Sequence, residues 1–244
     1  MIRLFHDEFV RVSDQECALC GQTGELTGEH KIKASLLRSE FGTRKTIISG
    51  KDSPKLLQSP KSKHVHFKSK ICKSCNSHRT QAADKAFDKL HDQLKQLLDS
   101  GKALTDMNNA LNVQLSPSEK LDIFRYFAKL LCCFLVEVEG PRSKSISEFA
   151  IGQSVKNPIF LEILKDTDYQ AKLRANDILG YAEHGGLKFR FDDKKRLVRS
   201  IESSTIAGGI IYNFSFQLSL ALGLELSLKY SDLIRKARAN IIEG

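Results

Sequence analysis

The chain has 244 residues, 41% hydrophobic and 27% charged, with 38 Lys plus Arg against 29 Asp plus Glu and a formal net charge of +9. This is ordinary globular composition with enough apolar material for a packed core, which excludes disorder along the whole chain. No run reaches about 18 apolar residues, so no membrane-crossing helix and no membrane partner are expected, and MIRLFHDEFVR has acidic residues where a signal peptide needs its apolar segment. We expect a cytoplasmic protein, in which reduced cysteine pairs more often bind metal than form disulfides.

The charge is uneven. Residues 1–27 carry two basic and five acidic groups, residues 28–102 carry 17 and seven, and residues 103–244 carry 19 and 17. A basic excess concentrated in one segment points to a polyanionic partner. In chain order, a short strand ends at Glu29-His30, and residues 43–73 read as a surface loop with nine basic residues and the single acid Asp52, broken by Pro54 and Pro60. His64 to Lys68 reads as a short strand feeding Ile71 and Cys72. From Thr80 to Ser100 the residues Ala83, Ala86, Phe87, Leu90, Leu94, Leu97 and Leu98 share one helix face, and Gly101 is a natural stop.

Residues 103–115 read as a linker. Ser116-Pro117-Ser118-Glu119 is a capping box with Pro at the first helical position, so a helix starts there, with Cys132 and Cys133 as small core residues on it. Gly140-Pro141 ends that segment, and residues 158–182 read as weakly helical. Lys188–Phe191 and Arg196–Ile201 are candidate strands around a turn at Asp192-Asp193. From Ile210 to Leu228 every second residue is apolar, which predicts strands with one buried face, bent near Gly223. Ser231 is expected to cap a terminal helix. The fold class is α+β, with a unit over residues 1–105 and a second α+β unit with an antiparallel sheet over residues 106–244.

Four cysteines form two knuckles, Cys17-Ala18-Leu19-Cys20 and Cys72-Lys73-Ser74-Cys75. A two-residue gap lets both thiolates of a knuckle reach one ion, and two knuckles complete a tetrahedral Zn²⁺ site. Four thiolates leave no open position for water, so this zinc would be structural. Between the knuckles stands Gly28-Glu29-His30-Lys31-Ile32-Lys33, and Asn76-Ser77-His78-Arg79 follows the second.

This order of knuckle, Glu-His, and Cys-x-x-Cys-Asn leading into a helix resembles the zinc-stapled HNH endonucleases, over about residues 15–100. The resemblance implies a ββα-metal nuclease domain within residues 1–105 and metal-dependent hydrolysis of DNA phosphodiester bonds. It makes His30 the general base, and an imidazole that titrates near neutral pH suits that role. Glu29 and Asn76 correspond to catalytic ligands of a divalent ion, and their oxygens suit Mg²⁺ or Mn²⁺. As strand neighbours, Glu29 and His30 serve one site only if the strand ends or bulges there. Ala34 stands where the family usually has Pro. His66 stands near the family's middle Asn and is expected to fix the catalytic imidazole beside the bound DNA.

Arg79 and His78 are expected to face phosphate, and Lys31, Lys33, Arg44 and Lys45 to follow a DNA duplex, giving affinity without sequence information. Residues 106–244 would position substrate, form a homo-oligomer or bind a regulatory partner such as a sensor or ATPase. The family's usual settings are restriction, antiviral defence, phage biology and mobile elements. The rival expectations are a zinc-ribbon nucleic-acid-binding module without catalysis, which needs neither Glu29-His30 nor Asn76, and an RNase.

Overall fold

The computed structural model describes residues 7–42, 46–49, 55–57, 62–101, 114–175, 180–194 and 197–239. Strand β1 (Phe9–Val10) pairs with β6 (Arg142–Ser143), which ties the start of the chain to its second half. β2 (Leu26–His30) and β5 (His66–Cys72) form an antiparallel pair with an irregular register. Gly28 lies opposite Lys70 and His30 opposite His66, so Glu29 alone is matched by three residues of β5. Helix α1 (Ala34–Phe41) follows β2.

The stretch 43–73, expected as a loop with a short strand at His64–Lys68, contains β5 and two further strands. β3 (Thr46–Ser49) and β4 (Lys55–Leu57) pair with each other, and β3 runs parallel to β8 (Gly180–His184). Residues 43–45, 50–54 and 58–61 of this basic segment lie outside the described residues. A 3₁₀ turn at Lys63–Val65 leads into β5.

After β5, a five-residue turn (Cys75–Arg79) enters α2 (Gln81–Asp99), which buries Ala83, Ala86, Phe87, Leu90 and Leu94 as the helical period requires. α2 packs on α3 (Pro117–Glu137), with the Phe87 and Tyr126 rings stacked 4.0 Å apart. The capping box that starts α3 is formed: Ser116 Oγ accepts from Glu119 N–H, and Glu119 Oε2 accepts from Ser116 N–H at 2.7 Å. Cys132 and Cys133 are buried on α3. The expected linker at 103–115 falls almost wholly outside the described residues.

α4 (Lys144–Ala150) precedes β7 (Ile159–Lys165). The weak helix expected over 158–182 is thus overturned at its start: Ile159, Leu161 and Ile163 are buried and Phe160 and Leu164 exposed, a period-2 pattern that seats one face of a strand. Only α5 (Tyr169–Ala175) is helical there, and β8 follows. β9 (Lys188–Phe191), β10 (Val198–Ala207) and β11 (Ile210–Gln217) complete a sheet in the order β4-β3-β8-β10-β11-β7, with β9 on β10. All its pairings except β3–β8 are antiparallel, and the fold is α+β.

The alternation over 210–228 holds only to Gln217. Ser219 Oγ accepts from Leu222 N–H, and α6 (Leu220–Lys229) begins in place of the expected strand. On a helix the alternating leucines spread around the axis, so Leu226 is buried while Leu220, Leu224 and Leu228 are exposed. α7 (Ser231–Arg238) ends the described chain. Its cap position is Tyr230, and Ser231, expected as the cap, is already inside the helix. One buried apolar cluster runs from Phe9 to Ile234. No helix among the described residues is long and apolar enough to cross a membrane.

Candidate functional site

The two knuckles meet because β5 delivers Cys72 opposite Leu26 while the loop before β2 folds back on it. Ala18 N–H donates to Lys70 O at 3.0 Å, and Cys17 N–H to Gln22 O at 3.0 Å. Gly21 takes the left-handed conformation (φ +73) that closes the first knuckle, where its N–H reaches Cys17 O at 2.8 Å. The four sulfurs all lie within 4.8 Å of one another, with Cys20 Sγ and Cys72 Sγ 3.7 Å apart. Tetrahedral coordination at about 2.3 Å per Zn–S bond separates sulfurs by roughly 3.8 Å. The four cysteines are therefore positioned to bind a metal, and a structural ion such as zinc fits them.

Backbone donors already favour thiolates here. The N–H groups of Leu19, Cys20 and Cys72 point at Cys17 Sγ, and that of Cys75 at Cys72 Sγ. The hydrogen bond from the Cys75 thiol, helped by those N–H groups, outweighs burial and lowers the Cys17 pKa to about 4, while Cys75 is pushed up. Cys132 and Cys133 lie outside the cluster, and burial raises both thiols.

Asn76 follows Cys75 directly, whereas His30 stands opposite His66 at the other end of the β2–β5 pair. The His30 ring lies against the His66 ring, centroids 4.0 Å apart and planes tilted 43°. His66 Nδ1 donates to Ser62 O at 2.9 Å, because a carbonyl can only accept. Asn76, on the first turn after Cys75, donates its amide to Thr27 Oγ1 at 2.9 Å and to Gly28 O at 3.5 Å. Asn76 thus grips the strand one peptide before Glu29. His78 and Arg79 are exposed on the same turn.

Glu29 does not lie open to solvent as expected of a ligand in a water-filled site. It is 7% exposed and pairs through Oε1 with Lys129 Nζ at 3.3 Å. Lys129, on α3 and 1% exposed, also donates to Asp84 Oδ1 on α2 at 2.6 Å. Burial alone would lower the Lys129 pKa, but the charges of Glu29 and Asp84 raise it above the ordinary lysine range. Burial also raises Asp84, and Lys129 only partly opposes this. Glu29 and Asn76 carry hard oxygen donors, but among the described residues the four cysteines are the only group of three or more Cys, His, Asp or Glu side chains positioned to hold a metal ion.

Two residues expected to follow DNA have partners within the protein. Lys31 is buried and pairs with Glu137 of α3 at 3.1 Å, and Lys33 donates to Asp88 Oδ2 at 2.7 Å and to the Asp84 carbonyl. Lys31, the more enclosed of the two, needs its partner because a buried charge must be paired, and both lysines tie the chain after β2 to helices α2 and α3. Arg44 and Lys45 lie outside the described residues. Sequence reasoning missed Lys129 and Asp84. The available signal was a lysine inside the apolar run Tyr126 to Val136, where a helix with a buried face needs an acidic partner for it. No family model, no curated protein and no solved structure matches the chain.

Proposed function

We propose that the protein is a metal-dependent HNH endonuclease that hydrolyses DNA phosphodiester bonds. One observation carries the reading: the His30 and His66 rings meet at one end of the β2–β5 pair, and Asn76, directly after the cysteine cluster, hydrogen-bonds the same strand at Thr27. His30 takes the proton from the attacking water, and the His66 ring limits its swing. Glu29 and Asn76 would hold the divalent ion, Mg²⁺ or Mn²⁺, which when bound offsets charge developing at phosphorus and the leaving oxygen. His78 and Arg79 would meet backbone phosphates, and zinc on the cysteines would keep the strands and the helix start in register. The segment's basic excess suits a polyanion.

A non-catalytic zinc-ribbon module binding nucleic acid is favoured by a different observation, the enclosure of Glu29 by Lys129. Incubating wild type and His30→Ala with supercoiled plasmid, linear DNA or RNA, in Mg²⁺, Mn²⁺ or EDTA, separates the readings. The nuclease reading expects wild type to cut DNA, EDTA to stop it, and His30→Ala to lose about 100-fold or more of the rate with zinc and DNA affinity intact. Binding without cutting under every ion supports the module, and cutting confined to RNA supports an RNase.

A further inference from the structure

Among the described residues, Lys129 is the one fully enclosed ammonium that touches a residue of the proposed nuclease site. Burying a lysine costs several kcal/mol unless it is paired, and an apolar residue of similar size is often as stable. Its retention here, in an otherwise apolar stretch of α3, asks for a task beyond packing. The contacts are specific: Nζ lies 3.3 Å from Glu29 Oε1 and 2.6 Å from Asp84 Oδ1, and 5.4 Å from the Tyr126 ring centroid. Asp84 is held in turn, since its backbone carbonyl accepts from Lys33, whose Nζ also pairs with Asp88.

We propose that Lys129 is a positioning residue for Glu29: anchored on Asp84, it fixes one carboxylate oxygen of Glu29 and leaves the other to be presented to the catalytic divalent ion. The inference rests on the nuclease reading and deepens it. Because Lys129 belongs to α3, the geometry of strand β2 is set partly by the second half of the chain. A purely structural role would cost Lys129→Met stability while leaving Mn²⁺ affinity unchanged in the folded protein, whereas a positioning role would change that affinity.

The test uses zinc-loaded full-length protein, wild type, Lys129→Met and Lys129→Arg. Mn²⁺ binding is read by loss of the free-ion EPR signal, alongside plasmid cleavage across a Mn²⁺ titration. Outer contacts to metal ligands are typically worth about 10–100-fold in metal affinity or activity. Lys129→Met is expected to need about tenfold or more Mn²⁺ for half-saturation and to cut correspondingly slower, with zinc content and DNA affinity unchanged. Wild-type Mn²⁺ binding and cleavage in a folded Lys129→Met would overturn the proposal and leave the nuclease reading standing.

If Lys129→Met does not fold, Lys129→Arg decides. Its larger planar head, in so closed a pocket, must displace Glu29 or Asp84, so a Mn²⁺ requirement raised several-fold is expected, and an unchanged one rejects the proposal. If wild type neither binds Mn²⁺ nor cuts, the nuclease reading and this inference fall together.

Discussion

At the scale of single residues, the cysteines carry the sharpest contrast. Cys72 gives its Sγ to the cluster, receives the Cys75 N–H at 3.4 Å, and donates its own N–H to Cys17 Sγ at 3.2 Å. Replacing its sulfur by a hydroxyl removes a thiolate ligand and a hydrogen-bond acceptor at once. Structural zinc is worth about 10–16 kcal/mol of apparent binding free energy in small zinc peptides, comparable to the whole net stability of a typical domain, about 5–15 kcal/mol. Cys72→Ser is therefore expected to lose most of its zinc and to melt well below wild type. Cys132→Ala, a buried thiol outside the cluster, should keep its zinc and lose only about 1 kcal/mol. Zinc by elemental analysis and thermal melting of both variants check this, and full zinc in Cys72→Ser would remove the assignment of Cys72 as a ligand.

At the scale of elements, α6 offers a test whose sign is informative. Gly223 lies in the middle of that helix, where replacing Gly by Ala ordinarily stabilises by about 1 kcal/mol. Here an added Cβ would meet the Val198 carbonyl oxygen at 2.5 Å, so the helix rests on β10 through backbone contact. Gly223→Ala should destabilise by about 1–3 kcal/mol in chemical denaturation, as overpacking does, and a stabilised variant would show that α6 is not seated there. The same element shows what the sequence could reveal. The knuckles, the capping box at Ser116 and the face of α2 were legible because spacing within a few residues determines their geometry. At Ser219 local pattern failed: the leucines go on alternating, yet a hydroxyl cap starts a helix that leaves three of them in solvent. The site divided in the same way. The cysteines announce themselves by spacing and His30 and Asn76 stand out only through the resemblance of their motif to HNH nucleases, but the pairing of Glu29 with Lys129 spans 100 positions, and nothing local to either residue names its partner.

At the scale of the whole molecule, the question is whether the proposed site stands without the second half of the chain. α3 covers α2 and β5, joining Phe87 to Tyr126 and Phe127, while Ser69 Oγ donates to the Cys133 carbonyl at 2.9 Å. Lys31 and Glu29 have their charge partners, Glu137 and Lys129, on α3. β1 pairs with β6, and β3 with β8. A fragment ending at residue 105 would expose Phe87, Leu90 and Leu94, at about 1.5–3 kcal/mol for each large apolar side chain. It would also leave two buried charges unpaired, and breaking such a pair typically costs about 3–5 kcal/mol. These losses exceed what one small zinc-bound unit has in reserve. Residues 1–105 alone, even with zinc, are therefore expected to show no cooperative melting by circular dichroism and poorly dispersed amide resonances. A sharp transition with dispersed resonances would show instead that the first unit folds by itself, and that α3 only rests on a site already formed.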